Sequence, residues 1–98
     1  MGALNGAAGE FNSCFGYGAG QAISTGLANV VMGFNCMLNT TSGTNDVALG
    51  NQALLGNIAG VQNVAIGDRA LQTSTADNNV AIGHRAGIGC VTGAGNAF

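Results

Sequence analysis

Charge is scarce in this sequence, and its scarcity excludes several classes of protein. The charged residues are two arginines and four carboxylates, accompanied by one histidine. A disordered chain would be charged and poor in aliphatic residues, whereas 47% of these residues are hydrophobic. Because Arg69 and Arg85 are the only strong bases, there is no basic patch for phosphate backbones, and we expect no nucleic-acid partner.

Proline, tryptophan and long apolar runs are also missing. No apolar run approaches the roughly 18 residues of a membrane span, so we expect no membrane insertion. The opening MGALNGAAGE lacks the basic and apolar segments of a secretory signal. Glycine supplies 18 residues, but it does not recur at every third position as in collagen.

What the sequence does contain is a repeat. The stretch NVAIGDRAL at 63–71 returns as NVAIGHRAG at 79–87, and the opening Asn or Asp with a Gly four residues later defines five copies. The steps between openers are 17, 17, 17, 16 and 17 residues, which is typical of repeat architectures. The openers are Asn12, Asn29, Asp46, Asn63, Asn79 and Asn96, and the closing glycines are Gly16, Gly33, Gly50, Gly67 and Gly83.

These landmarks divide the chain. Residues 1–11 form a partial repeat or junction, and residues 12–98 form the repeats. The repeats are 12–28, 29–45, 46–62, 63–78, 79–95 and the partial copy 96–98.

Each copy holds a period-two segment between its opener and its glycine. Large apolar residues occupy the first and third positions in most copies, and a smaller residue usually stands between them. This pattern predicts a short strand packed on both sides, with its first residues in one buried line. That line is Val30, Val47, Val64 and Val80. The small column Ala19, Cys36, Ala53, Ala70 and Ala86, with the residue after each, predicts a second short strand.

A 17-residue unit is too small to bury its own face, so the units are expected to stack. The sequence predicts an all-β fold, a β-solenoid or parallel β-roll of about five 17-residue rungs spaced about 4.8 Å apart. The opener column then hydrogen-bonds along the stack. The position after the closing glycine varies freely, which indicates an exposed candidate binding surface. It is occupied by Tyr17, Phe34, Asn51, Asp68 and His84.

Chemistry-bearing motifs are weak. His84 with Cys90 could form a base and a nucleophile, but His84 lies in the freely varying column. One histidine without a cluster of carboxylates does not give the ligand spacing of a metal site. The GYGAG stretch does not match a dinucleotide-binding motif, because Ile23 stands where the motif needs its third glycine. We therefore expect a non-enzymatic protein with no catalytic residues, no metal and no cofactor.

The repeats resemble those of two families. NVAIGDRAL and NNVAIGHRAG look like the repeats of phage tail-fibre-like proteins and the head repeats of trimeric autotransporter adhesins, over residues 12–98. The resemblance implies an intertwined left-handed homotrimer that serves as an attachment structure and has a host surface receptor as partner. Departures from the pattern are one 16-residue copy, the Asp46 opener and three cysteines.

The cysteines favour one branch of the resemblance. Cys14, Cys36 and Cys90 fall in different columns, which is ordinary for a protein assembled in a reducing cytoplasm and unusual for a secreted disulfide framework. This favours a virion-surface fibre or decoration protein over an adhesin on the bacterial cell surface. A self-assembling extracellular filament subunit is a third reading.

Two further expectations concern contacts between chains. Small columns such as Ala48, Ala65 and Ala81 are expected to allow close approach of neighbouring chains. Both chain ends lack charged caps, which predicts an axial neighbour such as a capsid, tail or further fibre domain.

Overall fold

The computed structural model describes residues 11–89 and 93–98, and it confirms the β-solenoid. Its strands have three residues each: β1 (Ser13–Phe15), β2 (Val30–Met32), β3 (Val47–Leu49), β4 (Val64–Ile66) and β5 (Val80–Ile82). They form one parallel sheet in the order β1-β2-β3-β4-β5. Each turn of the coil, which we call a rung, therefore contributes one strand.

The rungs stack in the register that the repeat predicts. Val47 pairs with Val64, and Val64 pairs with Val80. Backbone hydrogen bonds also join the rungs away from the sheet. The N–H of Met37 donates to the carbonyl of Ala53 at 2.9 Å, and the N–H of Leu54 donates to that of Ala70 at 3.0 Å. Backbone pairing between rungs therefore continues around the coil.

The 16-residue copy keeps the strand register because it is shortened on another side. Ser74 is buried as Asn57 is, 17 residues earlier. Two positions later the carbonyl of Ala76 accepts the side-chain amide of Asn63, as the carbonyl of Gly43 does for Asn29. The residue is therefore missing between positions 74 and 76, in a corner that lies outside both β4 and β5.

The predicted buried line of valines is wrong. Val30 is 44% exposed and Val80 is 38% exposed, while Val47 and Val64 are half-buried. The interior instead receives the middle residue of each strand, such as Val31 and the alanines at 48, 65 and 81. Because side chains alternate across a strand and the coil interior is narrow, the small residue points inward and its larger neighbours point outward.

The same burial corrects the expected role of the alanine columns. Ala48, Ala65 and Ala81 are fully buried inside their own coil. They therefore cannot be the surface on which neighbouring chains approach.

The predicted second strand is also wrong. Met37, Leu54 and Leu71 lie in turns, with φ angles of 51°, 53° and 48°. Their side chains are fully buried and fill the interior beside the inward alanines. The small-then-large pattern thus marks a tight left-handed corner whose apolar residue points inward, which a period-two reading cannot distinguish from a strand.

Candidate functional site

The opener column forms a continuous hydrogen-bonded ladder inside the coil. The side-chain carbonyl oxygen of Asn29 accepts the backbone N–H of Asp46 at 2.9 Å, and Oδ1 of Asp46 accepts the N–H of Asn63 at 2.9 Å. Asn63 then accepts the N–H of Asn79 at 3.0 Å. All four side chains are fully buried. Each opener therefore satisfies a backbone donor of the next rung, which a buried polar group requires.

Asp46 lacks the side-chain amide that the Asn openers donate, and Asn57 supplies an amide in its place. Where Asn29 donates its amide to the carbonyl of Gly43, Asp46 has no amide to give. Nδ2 of Asn57 instead lies 3.2 Å from Oδ2 of Asp46 and 3.3 Å from the carbonyl of Gly60. One amide thus serves both the carboxylate and the carbonyl that the missing amide would have reached.

Sequence reasoning missed Asn57, although a signal was available. The position eleven residues after each opener holds Ile23, Thr40, Asn57, Ser74 and Cys90. The amide therefore stands in the same copy as the Asp opener.

The buried position of Asp46 also changes its ionisation. Burial raises the pKa of the Asp46 carboxyl to about 6 despite hydrogen bonds from Asn63 and Asn57.

The closing glycines are fixed by close approach between rungs. At Gly50 and Gly67 the φ angles are 129° and 127°, a region that L side chains rarely adopt. A Cβ added at Gly50 would lie 2.5 Å from the carbonyl oxygen of Gly67. Glycine at this corner is therefore required by conformation and by space.

The outward residues of the strands, apart from Ser13, form a continuous apolar surface, which we call the lateral face. Its most exposed members are Phe15 at 73%, Ile82 at 60% and Met32 at 51%. The full set is Phe15, Val30, Met32, Val47, Leu49, Val64, Ile66, Val80 and Ile82. With strands about 4.8 Å apart, five of them give a face about 19 Å long. The largest contiguous apolar surface of a protein is often a site of interaction, so this face is a candidate contact surface.

The freely varying column lies at an exposed corner directly after the lateral face. Tyr17 and Phe34 stack with their ring centroids 5.8 Å apart and their planes 14° apart. Further along the stack, Nδ2 of Asn51 donates to Oδ1 of Asp68 at 3.0 Å, and Nδ1 of His84 lies 3.2 Å from Oδ2 of Asp68. This column changes from aromatic at one end to polar and charged at the other.

The two cysteines that the structure describes are unpaired and turned toward the interior. Cys36 is fully buried, with its Sγ 3.1 Å from the carbonyl of Ala48, and Cys14 is half-buried. Burial raises the pKa of the Cys36 thiol to about 12 and also raises that of Cys14. Both thiols are therefore weak nucleophiles at neutral pH. Cys90, the suggested partner of His84, lies outside the described residues.

No concave site is present in the part of the chain that the structure describes. Residues 11–89 and 93–98 contain no pocket and no group of three metal-ligating side chains. Among the same residues, no helix is long and apolar enough to cross a membrane.

Comparison with protein-family models, with curated proteins and with solved structures finds no match for this chain. The lateral face and the exposed corner are therefore the features from which a function can be argued.

Proposed function

We propose that this chain is a structural, non-enzymatic repeat module of a homotrimeric viral fibre or decoration protein, of the phage type, that projects from the particle and supports host attachment. The single observation that carries the proposal is the lateral face. An apolar stripe that follows the stack from β1 to β5 requires a cover of the same length and the same straight shape. A second copy of the chain, aligned along the same axis, meets that requirement because it has the same repeat.

Three copies satisfy this geometry through their lateral faces. If each face turns toward a common axis, the outward valines, leucine and isoleucines of the three chains form one shared core. Neighbouring chains then meet with rungs at the same height, because every chain has the same rung spacing. The number three comes from the resemblance of the repeats to those of trimeric fibres, and the exposed face supplies the physical reason for association.

Host attachment is assigned to the exposed corner. Side chains at this corner lie next to the lateral face but are not needed to fill it, so their chemistry can vary without loss of the core. The corner runs along the stack and remains on the outside of a particle-bound fibre. Its partner would be a host surface receptor, and its axial neighbour a capsid, tail or further fibre domain.

Sedimentation equilibrium of the full chain tests the assembly. We expect a homotrimer, and we expect Leu49→Glu and Ile66→Glu to give monomers, because each places a carboxylate in the shared core. Both residues point away from the coil interior, so the rungs can still form. The matched control is Gln62→Glu, which adds the same charge at an exposed position and should leave the trimer intact. A wild-type chain that sediments only as monomer or dimer overturns the proposal.

Location is tested separately. Antibody labelling of purified particles, viewed by electron microscopy, should place the protein on projections from the particle. Labelling confined to the surface of bacterial cells would instead identify a cell-surface adhesin.

A further inference from the structure

All strong bases of this chain lie at one corner, on two consecutive rungs. Arg69 and Arg85 occupy the same position of their copies, two residues after the closing glycine. Backbone hydrogen bonds between neighbouring rungs fix the positions of both residues. The N–H of Arg69 donates to the carbonyl of Asn51, and that of Arg85 donates to the carbonyl of Asp68, both at 2.8 Å. The two residues are therefore about 4.8 Å apart along the stack.

Neither guanidinium forms an ion pair within the described residues. The nearby carboxylate of Asp68 is engaged by Asn51 and His84. No side-chain hydrogen bond or ion pair to Arg69 or Arg85 exists in residues 11–89 and 93–98, and Nε of Arg69 is buried without a partner. Two like charges on facing positions repel each other, weakly where water screens them, and an anion between them would replace that repulsion by attraction.

The protein's overall charge makes this corner unusual. The chain has a net charge of −2 and an isoelectric point near 4.7. Both arginines lie at one corner, with the single carboxylate of Asp68 beside them, so two positive charges and one negative charge meet at one spot of an acidic protein. Guanidinium groups match the oxygens of phosphate and sulfate in a bidentate geometry, which a single point charge does not provide.

The side chains are also partly positioned in advance. Arg69 is half-buried and its Nε is covered, so less rotational freedom is lost when it binds. Arg85 is exposed and can adjust to the ligand. Together they offer one restrained and one adaptable donor group on adjacent rungs.

We infer that Arg69 and Arg85 form an oxyanion site for the sulfate or phosphate groups of an anionic surface polysaccharide. This inference rests on the proposed function, and it names the chemical class of the receptor. In a trimer the site occurs three times at the same height, so a polyanionic chain can engage several sites at once and gain affinity by multivalency.

Nuclear magnetic resonance of the full chain tests the site directly. The chain contains two arginines, so its two Nε–H resonances report on Arg69 and Arg85 alone. We expect both resonances to shift saturably with sodium sulfate and not with sodium chloride at equal ionic strength. Arg85→Gln should weaken sulfate binding at Arg69 at least tenfold, and Arg69→Gln should do the same at Arg85.

The control variant is Gln62→Glu, which changes the net charge by the same amount at an exposed position on the other side of β4. It should change the apparent sulfate affinity less than twofold. Unchanged backbone amide spectra establish that each variant is folded. Equal losses in Gln62→Glu and Arg85→Gln, or shifts that grow linearly without saturation, overturn the site.

Dextran sulfate, neutral dextran and inorganic sulfate distinguish the ligand source. Dextran sulfate should bind at least tenfold more tightly per sulfate than the free ion, and neutral dextran should not bind. Binding of the free ion alone overturns the polysaccharide assignment. Sedimentation of the same samples separates this result from the proposed assembly: a trimer that ignores sulfate refutes the site and leaves the fibre module standing.

Discussion

Left-handed backbone at residues other than glycine recurs in every rung. Ala28, Asn45, Gln62 and Asn78, which precede successive openers, have φ angles of 57°, 58°, 60° and 61°. Gly95 occupies the same column in the last copy, with φ of 74°. A side chain in this conformation costs roughly 1–2 kcal/mol, so the fold carries a conformational cost that stacking must offset.

Ala28 provides a test of that cost. Its side chain is exposed, so Ala28→Gly removes the unfavourable Cβ and loses little packing. After the greater entropy of an unfolded glycine is subtracted, we expect a gain of about 0.5–1 kcal/mol in the free energy of unfolding, measured in urea. The control Ala59→Gly, at an exposed alanine outside the left-handed region, should lower it. Destabilisation by both variants would show that the left-handed corner carries no such strain.

Asp46 makes stability depend on pH, in the direction opposite to most salt-bridged carboxylates. Its pKa is about 6 in the folded protein and 3.8 in the unfolded reference, so the folded state binds more protons between these values. Stability is therefore highest below pH 4, falls as pH rises toward 6, and is constant above it. The loss amounts to roughly 1–3 kcal/mol for a shift of this size.

Urea unfolding from pH 4 to pH 8, at one protein concentration, measures this dependence. Asp46→Asn should remove most of it, and it should be more stable than the wild type at pH 8. Asp77→Asn, which removes an exposed carboxylate that also raises the pKa of Asp46, should preserve most of the dependence. A pH profile that survives in Asp46→Asn would assign the effect to another group.

At the scale of the strand and corner, periodicity predicted the rungs but not their orientation. The 17-residue spacing fixes which residues pair, and the observed pairing of Val47 with Val64 follows from it. Which face of the strand points inward depends on the volume inside the coil, and that volume cannot be deduced from the sequence of a single copy. Ala65 fits the interior and Ile66 does not, so a preference for burying the larger residue gave the wrong face.

Corners were harder to predict than strands for a related reason. Met37 and Leu54 are large, apolar and fully buried, which local pattern reading assigns to a strand. Their left-handed φ angles are imposed by closure of the coil and by hydrogen bonds to the next rung. The Asp46–Asn57 pair was accessible in principle, because comparison of equivalent positions among the copies isolates both residues.

The closing glycines give a matched test of how rungs contact each other. Gly50 and Gly83 have φ angles of 129° and 131°, but only Gly50 would place a Cβ against the next rung. At Gly83 the nearest atom to an added Cβ is the Cβ of Ala86 at 3.9 Å.

We expect Gly50→Ala to lower the free energy of unfolding by about 3 kcal/mol or more, and Gly83→Ala by about 1–2 kcal/mol from its φ angle alone. Chemical denaturation followed by circular dichroism measures both. Equal losses would show that conformation dominates and that the close approach of rungs contributes little.

At the scale of the molecule, the proposed association through the lateral face would couple stability to assembly. The residues of this face lie outside the coil and are half-buried or exposed, so they contribute less to a single chain than the interior residues do and would gain most when another chain covers them. The melting temperature should therefore rise with protein concentration, as mass action requires for an assembly whose cover is another copy.

Two serine variants of neighbouring residues in β4 separate the contributions. Ile66→Ser should remove the concentration dependence and, because Ile66 is half-buried, lower the melting temperature at high dilution less than Ala65→Ser does. Ala65→Ser, inside the coil, should lower the melting temperature at every concentration, because it places a hydroxyl in an apolar interior. Scanning calorimetry over a hundredfold range of concentration distinguishes these outcomes, and a concentration-independent wild type would refute the coupling.

The direction of the inter-rung hydrogen bonds has a mechanical consequence. The bonds that join Met37 to Ala53 and Leu54 to Ala70 run along the stack, as do those of the sheet. A pulling force along that axis loads successive rungs in series, so one rung can open while the remainder stays closed. The rung with the weakest contacts then opens first. The rung that holds the buried carboxylate of Asp46 is a candidate, and it lies at the centre of the stack. A fibre of the kind proposed would therefore lengthen stepwise under tension and dissipate energy at each step instead of breaking at once.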